Sequence, residues 1–204
     1  MLANITSTND QMIRSALLQI LNDKHQKDRK VRIIEELGVH HGNGRVDIAV
    51  VNGVMHGYEI KSDLDTLQRL REQIEIYNSV FDKMTIVVGK THLLNVVKII
   101  PEWWGIILAK VDGDDKIAFF SIRKEGLNKN QDQISVAKLL WREEAIKILN
   151  EMNEANGFYS KPREIIYNKL ANTLDKKTLS QKVREAIFYR LDWRPESPLV
   201  SNDG

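Results

Sequence analysis

The sequence predicts an α/β domain in which a mixed central sheet is flanked by helices, followed by an all-helical C-terminal appendage. Three observations predict it. Short β-branched runs alternate with helical periodicities across residues 1–134. The first three strand candidates are separated only by turns, whereas the fourth follows a helix, so antiparallel and parallel pairing must coexist. After a polar stretch at 124–133 the apolar spacing becomes helical throughout. The expected division is therefore 1–134 for the α/β domain and 135–204 for a helical domain, whose tail beyond residue 194 is expected to fray.

Taken in order, residues 9–22 place Ile13, Leu17, Leu18 and Leu21 at helical spacing, with Asn9 or Asp10 as the cap. The run 31–39 reads as a strand interrupted by Glu35 and Glu36, and HHGNG at 40–44 as a turn. VDIAVV (46–51) is a short apolar strand, Asn52-Gly53 a hairpin turn and YEIK (58–61) the returning strand. Ser62 or Asp63 then caps a helix expected to reach about residue 81 through Leu67, Leu70, Ile74 and Tyr77. MTIVV (84–88) is a buried strand, and a helix over 92–100 stops before Pro101. WGIILA (104–109) is another buried strand and KIAFFSI (116–122) an edge strand. In the appendage, helices are expected at 135–153, 161–174 and 179–191, with Gly157 and Pro162 between the first two.

The chain of 204 residues is 42% hydrophobic and 28% charged, so it can bury a core. Its net charge of +2 excludes little. The distribution says more: 161–194 carries nine Lys or Arg against four acids, either a solvated helical face or a phosphate-contacting patch. There is no cysteine, which excludes disulfides, zinc fingers and thiol catalysis. The polar N-terminus and the lack of a run of ~20 apolar residues point to a soluble, cytoplasmic protein without a membrane segment. No phosphate-binding loop of the G-x-x-x-x-G-K-[ST] kind is present, so any ATP dependence would come from a partner.

The segment that carries chemistry is GRVDIAVVNGVMHGYEIKSDLDTLQRLREQIEIY (44–77). Strand alternation puts Glu59 and Lys61 on one face and turns Ile60 into the core. Folding at Asn52-Gly53 brings Asp47 beside Glu59. Two carboxylates and an ammonium converging on a sheet face are costly if buried and unpaired. They suit a divalent cation such as Mg2+ or Mn2+, held by Asp47 and Glu59 with the Ile60 carbonyl as a further ligand. Lys61 then orients the attacking water or meets charge developing on the phosphoryl oxygens. A lone E-x-K would more simply be an ion pair at a solvated sheet edge; the preceding Asp47 strand and following helix favour a site. Gln73 and Tyr77, four apart, share one helix face.

This D-x(11)-E-x-K arrangement resembles the signature of the PD-(D/E)XK nuclease superfamily, and Gln73 with Tyr77 resembles the Q-x-x-x-Y motif of its RecB-type members. RVDIAVVNG, GYEIKSDLDTL, QIEIYN, PEWWGI, LLWREEA and SKPREIIYNKL are similar to a small bacterial and phage-associated family within it, over residues of about 10–194. The resemblance implies a restriction-endonuclease-like fold and metal-dependent hydrolysis of DNA, with RNA not excluded as a substrate. It implies Asp47, Glu59 and Lys61 as catalytic residues, with Gln73 and Tyr77 orienting the site. Of Glu35 and Glu36, the resemblance points to Glu36 as an assisting acid and metal ligand. Val46 stands where the superfamily's name has proline.

Other residues carry weaker signals. His40, His41 and His56 lie near the hairpin, but lack an H-x-x-x-H pair, so surface or substrate contacts are preferred to a histidine metal site. Arg45, Arg69, Lys161, Arg163 and Lys169 are candidate nucleic-acid contacts, with Lys176, Lys177, Lys182 and Arg184 further along the same basic stretch. Trp103 and Trp104 are either core residues or stacking platforms for bases. The alternative from another class is a non-catalytic module that kept the fold and binds nucleic acid or a protein partner. A homodimer is left open.

Overall fold

A computed structural model describes residues 7–112 and 116–190. The chain begins with α1 (Asp10–His25), β1 (Arg32–Val39), a single 3-10 turn (His40–Gly42), β2 (Gly44–Val51) and β3 (Met55–Lys61). It continues through α2 (Leu70–Asn78), β4 (Lys83–Gly89), α3 (Leu93–Ile99), β5 (Gly105–Val111) and β6 (Ile117–Arg123). Four further helices follow: α4 (Gln133–Ala137), α5 (Arg142–Glu151), α6 (Arg163–Thr173) and α7 (Lys176–Tyr189). The tail expected to fray lies outside the described residues.

The strands form one six-stranded sheet in the order β1-β2-β3-β4-β5-β6. The hairpin partners β1/β2, β2/β3 and β5/β6 are antiparallel, while β3/β4 and β4/β5 are parallel. The parallel pairs are those whose connections contain a helix, α2 and α3, because a parallel return needs a crossover. The fold is thus the expected α/β arrangement: a mixed sheet flanked by helices, with a helical C-terminal appendage.

Each face of the sheet is covered. On one, α1 buries Ile13, Leu17 and Leu21 against Ile48, Val50, Tyr58, Ile60, Val87 and Ala109. Asn9 is its cap, accepting from the Met12 amide at 2.9 Å. The other face packs on α2 and on the C-terminal helices, in a single buried cluster that runs from Ile34 and Val51 to Leu140, Leu149, Ile166 and Ile187. That cluster crosses the division expected at residue 134.

Two helices are shorter than the periodicity implied. The helix expected from Ser62 or Asp63 begins only at Leu70. Ser62 instead donates through its amide and hydroxyl to Asp65, at 2.7 and 2.6 Å. The Asp63 carboxylate accepts from the amides of Thr8 and Thr91, which ties the segment to the start of α1 and the end of β4. Side-chain bonding, local at Ser62 and long-range at Asp63, thus outcompetes helix initiation here. The single helix expected over 135–153 is broken into α4 and α5. Trp141 is extended there and its amide donates to Glu144, while Tyr167 and Arg190 donate to the Leu140 and Leu139 carbonyls. These tertiary donors satisfy the carbonyls that a continuous helix would have bonded.

Candidate active site

The registers of β1, β2 and β3 place Glu36, Asp47 and Glu59 in one cross-strand row. Glu35 pairs with Ile48 and Leu37 with Val46, so Glu36 falls opposite Asp47. Ile48 pairs with Tyr58, so Asp47 falls opposite Glu59. Adjacent carboxylates repel, and backbone pairing lapses at this row. Glu36 adopts a left-handed φ of 54° in mid-strand, a conformation rare outside glycine and asparagine. Strands β2 and β3 part after Ile48 and Tyr58, and the Asp47 side chain enters the fork, where its Oδ2 accepts the Ile60 amide at 2.6 Å. A side chain thereby replaces a ladder acceptor.

Glu59 sits at the apex of the fork and is 1% exposed. Its Oε1 accepts from Lys61 Nζ at 2.7 Å and Gln73 Nε2 at 2.6 Å. Tyr77 Oη lies 3.0 Å from Glu59 Oε2 and 2.6 Å from the Arg45 carbonyl. A phenol has one proton to donate, so while Tyr77 serves Arg45, Glu59 Oε2 needs a proton or a cation of its own. Gln73 Oε1 is buried without a partner. Helix α2 therefore supplies both partners of the Q-x-x-x-Y pair to the Glu59 carboxylate. Tyr77 is also a fully buried core aromatic, stacked 6.3 Å from Trp104.

The sequence reading missed Arg14. Its guanidinium reaches from α1 to Asp47 Oδ1 at 2.6 Å, Glu36 Oε1 at 2.8 Å and Asp10 at 3.0 and 3.1 Å. An arginine four residues after an aspartate on a helix looks like a local surface pair, and nothing in that spacing signals a strand residue 33 positions away. Glu36, rather than Glu35, joins the cluster, as expected, but it does so through Arg14 and Arg45.

Burial, then the charge of Asp47, pushes the Glu59 carboxyl up to about 7, against the pull of Lys61 and Tyr77. Burial also raises Asp47, although the Ile60 amide and Arg14 oppose it. Burial lowers the pKa of Arg14, but Asp10 and Asp47 outweigh it and hold the guanidinium charged. The donors at the fork are hard oxygens: two carboxylates, the orphaned Gln73 amide oxygen and backbone carbonyls. That set suits a small divalent cation, which commonly takes one or two carboxylates and completes its shell with water. Among the described residues no three His, Cys, Asp or Glu side chains are grouped to hold an ion unaided.

The remaining candidates lie elsewhere. His40 bonds Ser79, His41 stacks on Tyr167 at 5.4 Å, and His56 bonds Thr85 and stacks on Tyr58. They do not converge. Trp104 is a core residue whose Nε1 donates to Asn78, and Trp103 packs edge-on against it, so neither is a free stacking platform. Part of the basic stretch is neutralised locally: Lys169 pairs with Glu154, Lys182 with Glu151 and Arg184 with Asp82. Lys176 donates to the Lys129 carbonyl. Lys161, Arg163 and Arg69 are exposed.

A family model described as Bacteriophage P4 protein cII matches residues 4–197. Protein cII of Enterobacteria phage P4 is 27% identical over 196 residues, covering 95% of this chain and 70% of the relative. Among solved structures, a protein of unknown function from Silicibacter pomeroyi is similar with a TM-score of 0.41 and 17% identity, over 73% of this chain and 97% of that one.

Proposed function

The chain belongs to the bacteriophage P4 protein cII family, and we propose that it is a Mg2+- or Mn2+-dependent nuclease of the PD-(D/E)XK type, hydrolysing DNA phosphodiester bonds. The observation that carries this reading is the convergence of Asp47, Glu59, Lys61, Gln73 and Tyr77 at one buried fork, with Glu59 as their common centre. Structural ion pairs rarely need a fully buried carboxylate facing another carboxylate, since burial and repulsion both oppose the charge. The mixed sheet, with parallel strands beside the site, is compatible with a restriction-endonuclease-like core.

In this reading Asp47 and Glu59, with the Ile60 carbonyl, hold the divalent ion. What the ion supplies when bound is positive charge against the phosphate oxygens and a more acidic attacking water. Lys61 brings its ammonium to the same point, where it orients that water or meets charge developing on the phosphoryl oxygens. Gln73 fixes the Glu59 carboxylate from α2, and the single Tyr77 hydroxyl proton lies between Glu59 and the Arg45 carbonyl of β2. Glu36 assists through its ion pair with Arg14. Arg45 and Arg69, and more distantly Lys161 and Arg163, are the candidate phosphate contacts.

A second reading, a non-catalytic module binding nucleic acid or protein, is favoured by one observation. Three of the four carboxylate oxygens of Asp47 and Glu59 already accept hydrogen bonds within the chain. The two readings separate in a cleavage assay on labelled single- and double-stranded DNA, and on RNA, with Mg2+, Mn2+ or EDTA. The wild type is expected to cut only with metal, and Lys61→Ala to cut at least ~100-fold more slowly. Binding without cutting in both proteins, whatever the metal, would establish the module instead.

A further inference from the structure

We propose that Arg14 stands in for a second cation, so that the site takes a single divalent ion through Asp47 and Glu59, and Glu36 partners Arg14 rather than the metal. This rests on the reading of Asp47 and Glu59 as metal ligands. The guanidinium meets three carboxylates from three separate elements: Asp10 of α1 through Nε and Nη2, Glu36 of β1 through Nη1, and Asp47 of β2 through Nη2. Its Nη1 also donates to the Asp47 carbonyl at 3.1 Å. A planar fork with five donors can satisfy several oxygens at once while remaining charged at every working pH.

The side chain is delivered rigidly. Arg14 is 13% exposed, and its neighbours Ile13 and Leu17 are buried against the sheet. The start of α1 is fixed by the Asn9 cap and by Thr8, whose amide and hydroxyl both donate to Asp63. On the opposite side, the Glu36 carboxylate is brought to Arg14 by a backbone held at a left-handed φ of 54°. A merely opportunistic ion pair would not require that conformation. Arg45 approaches the same carboxylate at 3.4 Å, so Glu36 already faces two cationic side chains. The carboxylates surround the guanidinium, not a point open to an ion, which accords with the lack of a ready-made three-ligand group among the described residues. The three carboxylates are spaced for the guanidinium, so without its charge they repel one another and must close together before they hold a divalent ion in its place.

Manganese titrations on the full chain test this, by calorimetry and by counting bound Mn2+ with electron paramagnetic resonance. The wild type is expected to bind one ion, Arg14→Lys one, and Arg14→Gln two. Glu36→Gln is expected to keep the single ion. Two ions in the wild type, a single unaltered ion in Arg14→Gln, or loss of the ion in Glu36→Gln each overturns the assignment of Arg14 while leaving Asp47 and Glu59 as ligands. No ion in the wild type removes the ligand reading itself, and this inference with it. If circular dichroism shows Arg14→Gln unfolded, Glu36→Gln decides between the two roles of Glu36.

Discussion

At Glu59 two influences oppose each other: burial and the neighbouring Asp47 disfavour the charge, while Lys61 and Tyr77 support it, and the first pair wins. The consequence for stability has a definite sign. A carboxyl whose pKa is about 7 in the fold and lower in the unfolded chain ionises first in the unfolded chain. Folding therefore loses stability as pH rises from the ordinary carboxylate range through about 7. Glu59→Gln removes that loss. Its amide would donate to Tyr77, freeing the Tyr77 proton for the Arg45 carbonyl, and its oxygen would accept from Lys61 and Gln73. In EDTA, Glu59→Gln is expected to match the wild type near pH 4.5 and to be more stable by on the order of 2–3 kcal/mol above pH 7. Urea unfolding across that range checks it; equal stability at both ends would show that Glu59 is comfortably charged. Stabilisation combined with loss of cleavage is the pattern of a residue kept for chemistry.

At the scale of elements, the segment between Lys61 and α2 determines where Gln73 and Tyr77 point. Its anchor is Asp63, bonded to Thr8 and Thr91, and Gly89 at the end of β4 lets it approach. A Cβ at Gly89 would lie 2.6 Å from both the Asp63 amide nitrogen and its Oδ1, closer than real side chains come. The obstruction is partly backbone, so it cannot be relieved by rotating a side chain. Gly89→Ala is expected to destabilise the protein by about 1–3 kcal/mol, as overpacking does. Under the proposed nuclease reading it should also lower cleavage beyond what the remaining folded fraction explains, because α2 moves with the segment. Thermal melts run beside the cleavage assay check both effects; an unchanged melting temperature would mean the segment adapts freely.

At the scale of the whole molecule, α4 to α7 join the buried cluster on one face of the sheet. Leu140 is 1% exposed and belongs to the same buried cluster as Val88, Ile106 and Met84 of the central strands. Leu140→Ala is therefore expected to cost about 2–5 kcal/mol and to shift sheet and appendage together. Denaturant unfolding followed by tryptophan fluorescence and by far-ultraviolet circular dichroism should give coincident transitions in wild type and variant. Separated transitions would show that residues 133–190 fold independently. Among the described residues no helix is long and apolar enough to cross a membrane.

Local physics made part of this protein legible from its sequence. Period-two and period-3.6 apolar spacing gave the strands and most helices, since burying one face constrains every second or every third to fourth residue. The Asn52-Gly53 turn fixed the register that sets Asp47 opposite Glu59, and alternation put Lys61 beside Glu59, so these three were readable together. Helical spacing linked Gln73 to Tyr77 for the same reason. Tertiary structure alone decided the rest. The helix start expected at Ser62 or Asp63 and the continuity expected across 138–141 were lost in part to bonds with Thr8, Thr91, Tyr167 and Arg190, partners distant in sequence. The left-handed backbone of Glu36 and the convergence of Arg14 on three carboxylates depend on how α1 docks across the sheet. No local pattern records such a contact, because the energy that selects it comes from packing between elements and from charges brought together only when the chain is folded.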